Sequence, residues 1–271
     1  MIHGARPIKR NLVVIFAFLL CTCRTNAIAQ SPEVRVAAAA DLTAAFQELG
    51  PVFERKTGIH PVFTFGASGL LCRQIEQGAP FDLFASANTE FITALEAKRL
   101  TAPNSAHSYA VGHIGIFTLN LKPARLQDLS EAIYHKIAIA NPRTAPYGKA
   151  AQEALTAAGM WQAIQNKLVF GDNIRQTQQF ALSGNAEAAI VSASQGIEAK
   201  TRGSYLPIPD SYHLPLVQSL AILKASTSPA SADAFARFLL GKDGQTIIHK
   251  YGFTGPPTTK QANHTAKHTG L

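Results

Sequence analysis

Cysteine is scarce in this sequence. The 271 residues hold three, and two of them, Cys21 and Cys23, lie in a leading segment with the marks of a removable signal. Cys72 is then alone, which excludes an intramolecular disulfide and leaves it reading as a small buried hydrophobe. No twin-arginine pair stands near the start. Beyond the leading segment, no apolar run reaches the length of a membrane helix. No cluster of arginine and lysine forms the basic patch that marks a nucleic-acid-binding surface. No HExxH or closely paired spacing links His60, His107, His113, His135, His213 and His249, so each reads as a core or surface residue rather than a metal ligand. Gly148-Lys149 lacks the rest of a phosphate loop. Trp161 reads as packing, and no fixed-period repeat is present.

The leading segment has its own pattern. Arg6, Lys9 and Arg10 form a basic start, residues 12–21 are apolar but too few to span a bilayer, and Ala27-Ile28-Ala29 is a small-x-small cleavage site. Cleavage after Ala29 is expected, giving a soluble exported protein that begins at Gln30. Leu20 and Thr22 are poor residues to precede a lipidated cysteine, which argues against a lipoprotein. The formal charge of +8 comes from 25 basic and 17 acidic residues. Four of the basic residues (Arg6, Lys9, Arg10, Arg24) leave with the signal, so the remaining chain is only mildly basic. Its length, roughly 240 residues, allows one large or two modest domains.

What is present is a repeated device, a buried strand that runs through a short turn into a helix. Val34-Arg35-Val36-Ala37-Ala38-Ala39-Ala40-Asp41-Leu42 is the first example and Phe63-Thr64-Phe65-Gly66-Ala67-Ser68-Gly69-Leu70 the second, with Gly66 and Gly69 expected to let the backbone turn tightly. Such turns aim the unpaired N–H groups of a new helix into open space, where the helix dipole favours anions. Adjacent parallel strands would place both turns on one rim of a sheet, the position at which open α/β sheets bind ligands. A pocket for a small oxyanion is therefore expected.

The alternation continues along the chain. Leu42, Phe46, Leu49, Val52 and Phe53 recur at helical spacing. Residues 81–86 read as a strand, and Phe91, Leu95 and Leu100 line the helix after it. A longer extended run follows from 108 to 119. Strands are expected at 137–140, 168–170 and 188–191, helices through Ala150, Leu155 and Ala158 and over 174–182, an extended run over 216–223, and closing helices over 230–240 and 244–251. This pattern predicts an α/β fold with mostly parallel sheets and right-handed crossovers. The tail beyond Pro256 has no apolar periodicity and reads as disordered.

These segments resemble the periplasmic molybdate-binding proteins of ABC importers. The similar pieces include residues 36–42, Gly66-Ala67-Ser68-Gly69, residues 77–87, Tyr109-Ala110-Val111-Gly112, Ile139-Ala140-Asn141-Pro142, Ala145-Pro146-Tyr147-Gly148, Ser183-Gly184-Asn185-Ala186 and Tyr251-Gly252-Phe253. They occur in order over nearly the whole exported chain. The resemblance implies a two-domain periplasmic binding protein of the type II kind, each domain a mostly parallel sheet flanked by helices, with the ligand in the cleft between them. Domain one would comprise residues 30–111 and 216–256, and domain two residues 112–215, with 1–29 the signal and 257–271 the tail. It implies molybdate or tungstate as ligand, no cofactor, no cation ligands, no catalysis, a monomer, and a membrane permease as partner.

Carried over residue by residue, the oxyanion contacts fall on Ala40, Asp41, Ser68, Tyr147 and Ile174. Tyr147 and Ile174 would offer backbone N–H groups, and Ser68 both its N–H and its hydroxyl, beyond any capping of its own helix. Two positions depart from the pattern. Many relatives have serine where this chain has Asp41, and a carboxylate facing a dianion would be repelled; folding back to cap its own helix would leave only its N–H for the ligand. Some relatives have a ligand tyrosine where this chain has Ser192, and neither Ser192 nor Arg175 is assigned a role. Three other readings compete: a sulfate or other tetrahedral oxyanion as ligand, a sensor that signals to a membrane receptor, and a secreted hydrolase with Ser68 as nucleophile. The hydrolase needs a histidine near Ser68, and His60 lies on the far side of a strand.

Overall fold

An apolar run without alternation suits a strand covered on both faces. Such a run forms β1 (Glu33–Ala39), buried without a break from Val36 onward. The computed structural model describes residues 31–256, with Met1 and Gly4; the expected signal cleavage site and the tail over 257–271 lie outside the described residues. β1 pairs in parallel with β2 (His60–Gly66) on one side and β3 (Leu83–Ser86) on the other. Helix α1 (Thr43–Thr57) joins β1 to β2, α2 (Ser68–Glu76) joins β2 to β3, and α3 (Thr89–Ala97) follows β3. Phe46, Leu49 and Phe53 form the buried face of α1. The Phe46 ring meets Phe63 of β2, and the Phe46 and Phe53 rings meet Phe235 of the closing helix Pro229–Leu240, at centroid distances of 5.2–5.7 Å. Gly58 ends α1 in the left-handed region at φ 71°, a conformation that glycine adopts without steric cost.

The chain then leaves this sheet through β4 (His107–Gly112) and enters a second one at β5 (Ile114–Thr118), with only His113 between them. The second sheet repeats the device with β6 (Ile137–Ala140), α4 (Pro146–Ala157), the short α5 (Trp161–Ile164), β7 (Leu168–Gly171), α6 (Ile174–Leu182), β8 (Ala188–Ser192), α7 (Ala193–Glu198) and β9 (Ser204–Pro207). The chain returns to the first sheet as β10 (Leu216–Ile222), followed by α8 (Pro229–Leu240) and α9 (Lys242–Lys250). The strand orders are β2-β1-β3-β10-β4 and β7-β6-β8-β5-β9.

Both sheets are mixed, with a parallel part around β1 and around β6 and an antiparallel part around β10 and around β5. The antiparallel part follows from the crossing. Leu216 and Gly112 are register partners, so the chain re-enters the first sheet beside the point where it left and must run back along it. The His113 ring braces this joint, with Nδ1 2.8 Å from Asp210 Oδ1 on the return segment and Nε2 3.1 Å from Thr254 Oγ1. Helix α6 has the bounds expected from periodicity. Strand β9 and helices α5 and α7 have 4, 4 and 6 residues, too few for a spacing pattern to declare them.

Candidate functional site

Four turns, two from each sheet, meet at one cavity. A 3-10 turn over Ala40–Leu42 follows β1, α2 opens at Ser68 after β2, α4 opens at Pro146 and Tyr147 after β6, and α6 opens at Ile174 after β7. Ala40, Asp41, Ser68, Tyr147 and Ile174, the five residues expected at the ligand, all line this small cavity. Small residues of the same turns, with Ala87 and Pro146, make up the rest of its wall, and the only ionisable side chains among the lining residues are Asp41 and Tyr147.

Local sequence sets the donors. The first N–H groups of a helix have no partner within it. In α6, Asn173 Oδ1 accepts from Arg175 N at 2.9 Å and Gln176 N at 3.1 Å, so the Ile174 N–H is the one left beside the cavity. Pro146 has no N–H, so Tyr147 offers the first one in α4. The Ser68 hydroxyl oxygen accepts the Ala87 N–H at 3.0 Å, which fixes the oxygen and leaves its own proton to donate. The residue before α2 is Ala67, so no side chain caps that helix. Gly69 serves a purpose other than the expected turn. A Cβ there would come within 2.8 Å of the Thr144 carbonyl oxygen, which accepts the Gly69 N–H at 2.9 Å. The glycine permits close approach between the α2 end and the loop before α4.

Asp41 does not cap its own helix. Its Oδ2 accepts from Gln218 Nε2 at 2.9 Å, and the same amide nitrogen lies 3.2 Å from the Tyr147 hydroxyl oxygen. Tyr109 Oη stands 3.5 Å from Gln218 Oε1. The Asp41 carboxyl is 2 % exposed, and burial pushes it up to about 7 from an ordinary 3.8, against the opposing pull of the Tyr147 hydroxyl, its own backbone and Gln218. Burial also raises the Tyr109 and Tyr147 phenols well above the ordinary tyrosine value, helped by the nearby Asp41 carboxyl. Gln218 was not among the expected site residues. Its only signal in the sequence is a lone amide in a mostly apolar strand; the pairing of β10 with β4 shifts register between Gln218 and Ser219, the kind of bulge that re-aims a side chain.

Two buried amides support Ile174 from behind. Gln195 Nε2 donates to Ile174 O at 2.9 Å, and Gln178 Nε2 donates to Gln195 O at 3.0 Å. Ser192 caps α7, with its hydroxyl accepting from Gln195 N at 3.3 Å, and Arg175 pairs with Glu198 at 3.0 Å; neither lines the cavity. Cys72 is buried, with its thiol pushed up to about 11 chiefly by that burial. Among the described residues, no group of three histidine, cysteine or acidic side chains is placed to hold a metal ion.

Residues 34–254 match the family model described as bacterial extracellular solute-binding protein. The molybdate-binding protein ModA of Rhodobacter capsulatus is 36 % identical over 228 residues, which cover 83 % of this chain and 89 % of that protein. The chain is a ModA-like member of the bacterial extracellular solute-binding protein family. A second ModA relative of this solute-binding protein, from Azotobacter vinelandii, is 35 % identical over 90 % of the chain and 96 % of its own length. The solved structure titled Azotobacter vinelandii periplasmic molybdate-binding protein superposes with a TM-score of 0.79 at 29 % identity, covering 83 % of this chain and all of that one. The solute-binding protein thus shares fold and family with these relatives over the stretch that builds both sheets.

Proposed function

We propose that this solute-binding protein captures molybdate, and tungstate with it, in the cavity between the two sheets, and delivers it to the membrane permease of an ABC importer. The observation that carries the reading is the lining: three helix N-termini, a 3-10 turn and one serine hydroxyl, with no cationic side chain and no histidine. Fixed N–H dipoles suit a tetrahedral dianion, because they replace its water without adding a counter-charge. No histidine lines the cavity beside Ser68, so no serine–histidine pair is built there, which favours a binding role over a hydrolytic one. The molybdate-binding relatives favour molybdate over other tetrahedral oxyanions.

The protein works in the periplasm as a monomer, after removal of residues 1–29. Residues 30–111 with 216–256 act as one lobe and 112–215 as the other, closing on the ligand at the crossing strands. Contacts that join the lobes beside the cavity include the Gly69 N–H to Thr144 O at 2.9 Å, the Gln218 amide to the Tyr147 hydroxyl at 3.2 Å, the Ser194 hydroxyl to Asp41 O at 2.6 Å and the Lys149–Glu90 ion pair at 2.8 Å. Calorimetric titration with molybdate, tungstate, sulfate and phosphate tests the reading. Tight binding of the first two and weak binding of the others is expected. A preference for sulfate would replace the ligand, and no binding of any oxyanion would overturn the function.

A further inference from the structure

Two aspartates are buried among the described residues, and they are held differently. Asp82 is saturated with donors: Arg35 N on Oδ2 at 2.8 Å, and Ser226 Oγ at 2.7 Å with Thr227 N and Ser228 N at 3.1 Å on Oδ1. Asp41 has the Gln218 amide on Oδ2, with the Tyr147 hydroxyl also pulling on the carboxyl, and no hydrogen-bond partner on Oδ1. Asp41, unlike Asp82, lines the ligand cavity. A buried carboxylate anion needs donors on both oxygens or a cation beside it, and this one has neither.

The surrounding elements supply no opposite charge. The titratable groups facing Asp41 are the phenols of Tyr109 from β4 and Tyr147 from α4. Strand β10 offers only the Gln218 amide, and α7 the Ser194 hydroxyl, which donates to the Asp41 backbone carbonyl at 2.6 Å. Arg175 of α6 and Glu198 of α7 neutralise each other near the surface. His60, at the outer start of β2, pairs with Glu54 of α1, and Glu48 of α1 pairs with Lys250.

We propose that Asp41 carries a proton on Oδ1 whenever the cavity holds its oxyanion, so that capture of a dianion by the protein in its ionised form takes up one proton from solvent. This rests on the oxyanion reading of the same cavity. The proton comes from water or buffer and no bond to the ligand forms or breaks. It removes the like charge from beside the anion and turns Oδ1 from an acceptor without a donor into a donor. Burial already raises the carboxyl to about 7, and a dianion alongside raises it further. Below that value the site is ready to bind. Above it each pH unit is expected to weaken binding about tenfold, because the carboxylate must first be reprotonated.

Calorimetry with molybdate at about pH 6 and about pH 8.5, each in buffers of different ionisation enthalpy, reads the protons taken up per anion. The wild-type protein is expected to take up about one proton at the higher pH and about none at the lower. Asp41→Asn keeps an oxygen for Gln218 but cannot ionise. It is expected to take up none at either pH and to bind more tightly than wild type at the higher one. Wild-type binding without uptake at the higher pH, or uptake that persists in Asp41→Asn, overturns the coupling and leaves the oxyanion reading standing. Failure of molybdate, tungstate and sulfate all to bind at the lower pH overturns the oxyanion reading and the coupling together.

Discussion

The Gln218 amide nitrogen lies 2.9 Å from Asp41 Oδ2 and 3.2 Å from the Tyr147 hydroxyl oxygen. One strand residue thereby ties the turn after β1, in the first sheet, to the first turn of α4, which follows the second. The three side chains form a buried polar unit behind the cavity, where an unmatched group costs more than it would at the surface.

Stability of the ligand-free protein should depend on pH through Asp41. Its folded carboxyl titrates at about 7 against an ordinary 3.8. Below the lower value both folded and unfolded chains hold the proton, and the full contribution is present. Between the two, the unfolded chain gives it up while the folded one keeps it, so stability falls as pH rises, on the order of 4 kcal/mol in all, and levels off above the higher value. Melting curves at pH values on either side of this window should show the fall in wild type and a smaller one in Asp41→Asn. An equal fall in both would rule out Asp41 as its source.

Ser68→Ala removes the one side-chain hydroxyl donor beside the cavity other than that of Tyr147, and also the acceptor of the Ala87 N–H. The loss of a bond to a charged acceptor is expected to cost about 1.5–3 kcal/mol of binding, or about ten- to a hundredfold in molybdate affinity. Calorimetry beside a melting curve separates the binding loss from the cost of the unpaired amide. Unchanged affinity would move the site away from Ser68.

Gly112, at the joint between the sheets, faces the same polar unit. A Cβ on it would overlap the Tyr147 hydroxyl and stand 3.0 Å from Gln218 Nε2. Gly112→Ala should therefore displace Tyr147 and weaken molybdate binding, and adding Tyr147→Phe should recover part of the loss by removing the overlapped atom. A coupling of about 0.5–3 kcal/mol between the two changes is expected from residues in direct contact. Strictly additive losses in a double-mutant cycle would show that the clash is relieved elsewhere.

Local chemistry settled much of this protein before any contact was known. Apolar spacing along α1, the apolar run of β1 from Val36 onward, and small or capping residues at strand-to-helix turns act within a few residues of chain, so they are legible as sequence. The five residues named at the cavity belong to such turns, and each turn carries its N–H donors wherever it is placed. The tertiary structure decided what the turns meet. The antiparallel halves of the sheets came from the geometry of the crossing, and Gly69 proved to be needed for a neighbour's carbonyl. The state of Asp41 depends on burial and on Gln218, 177 residues away. A carboxyl's charge is set by the donors and charges that surround it, and only folding brings those together.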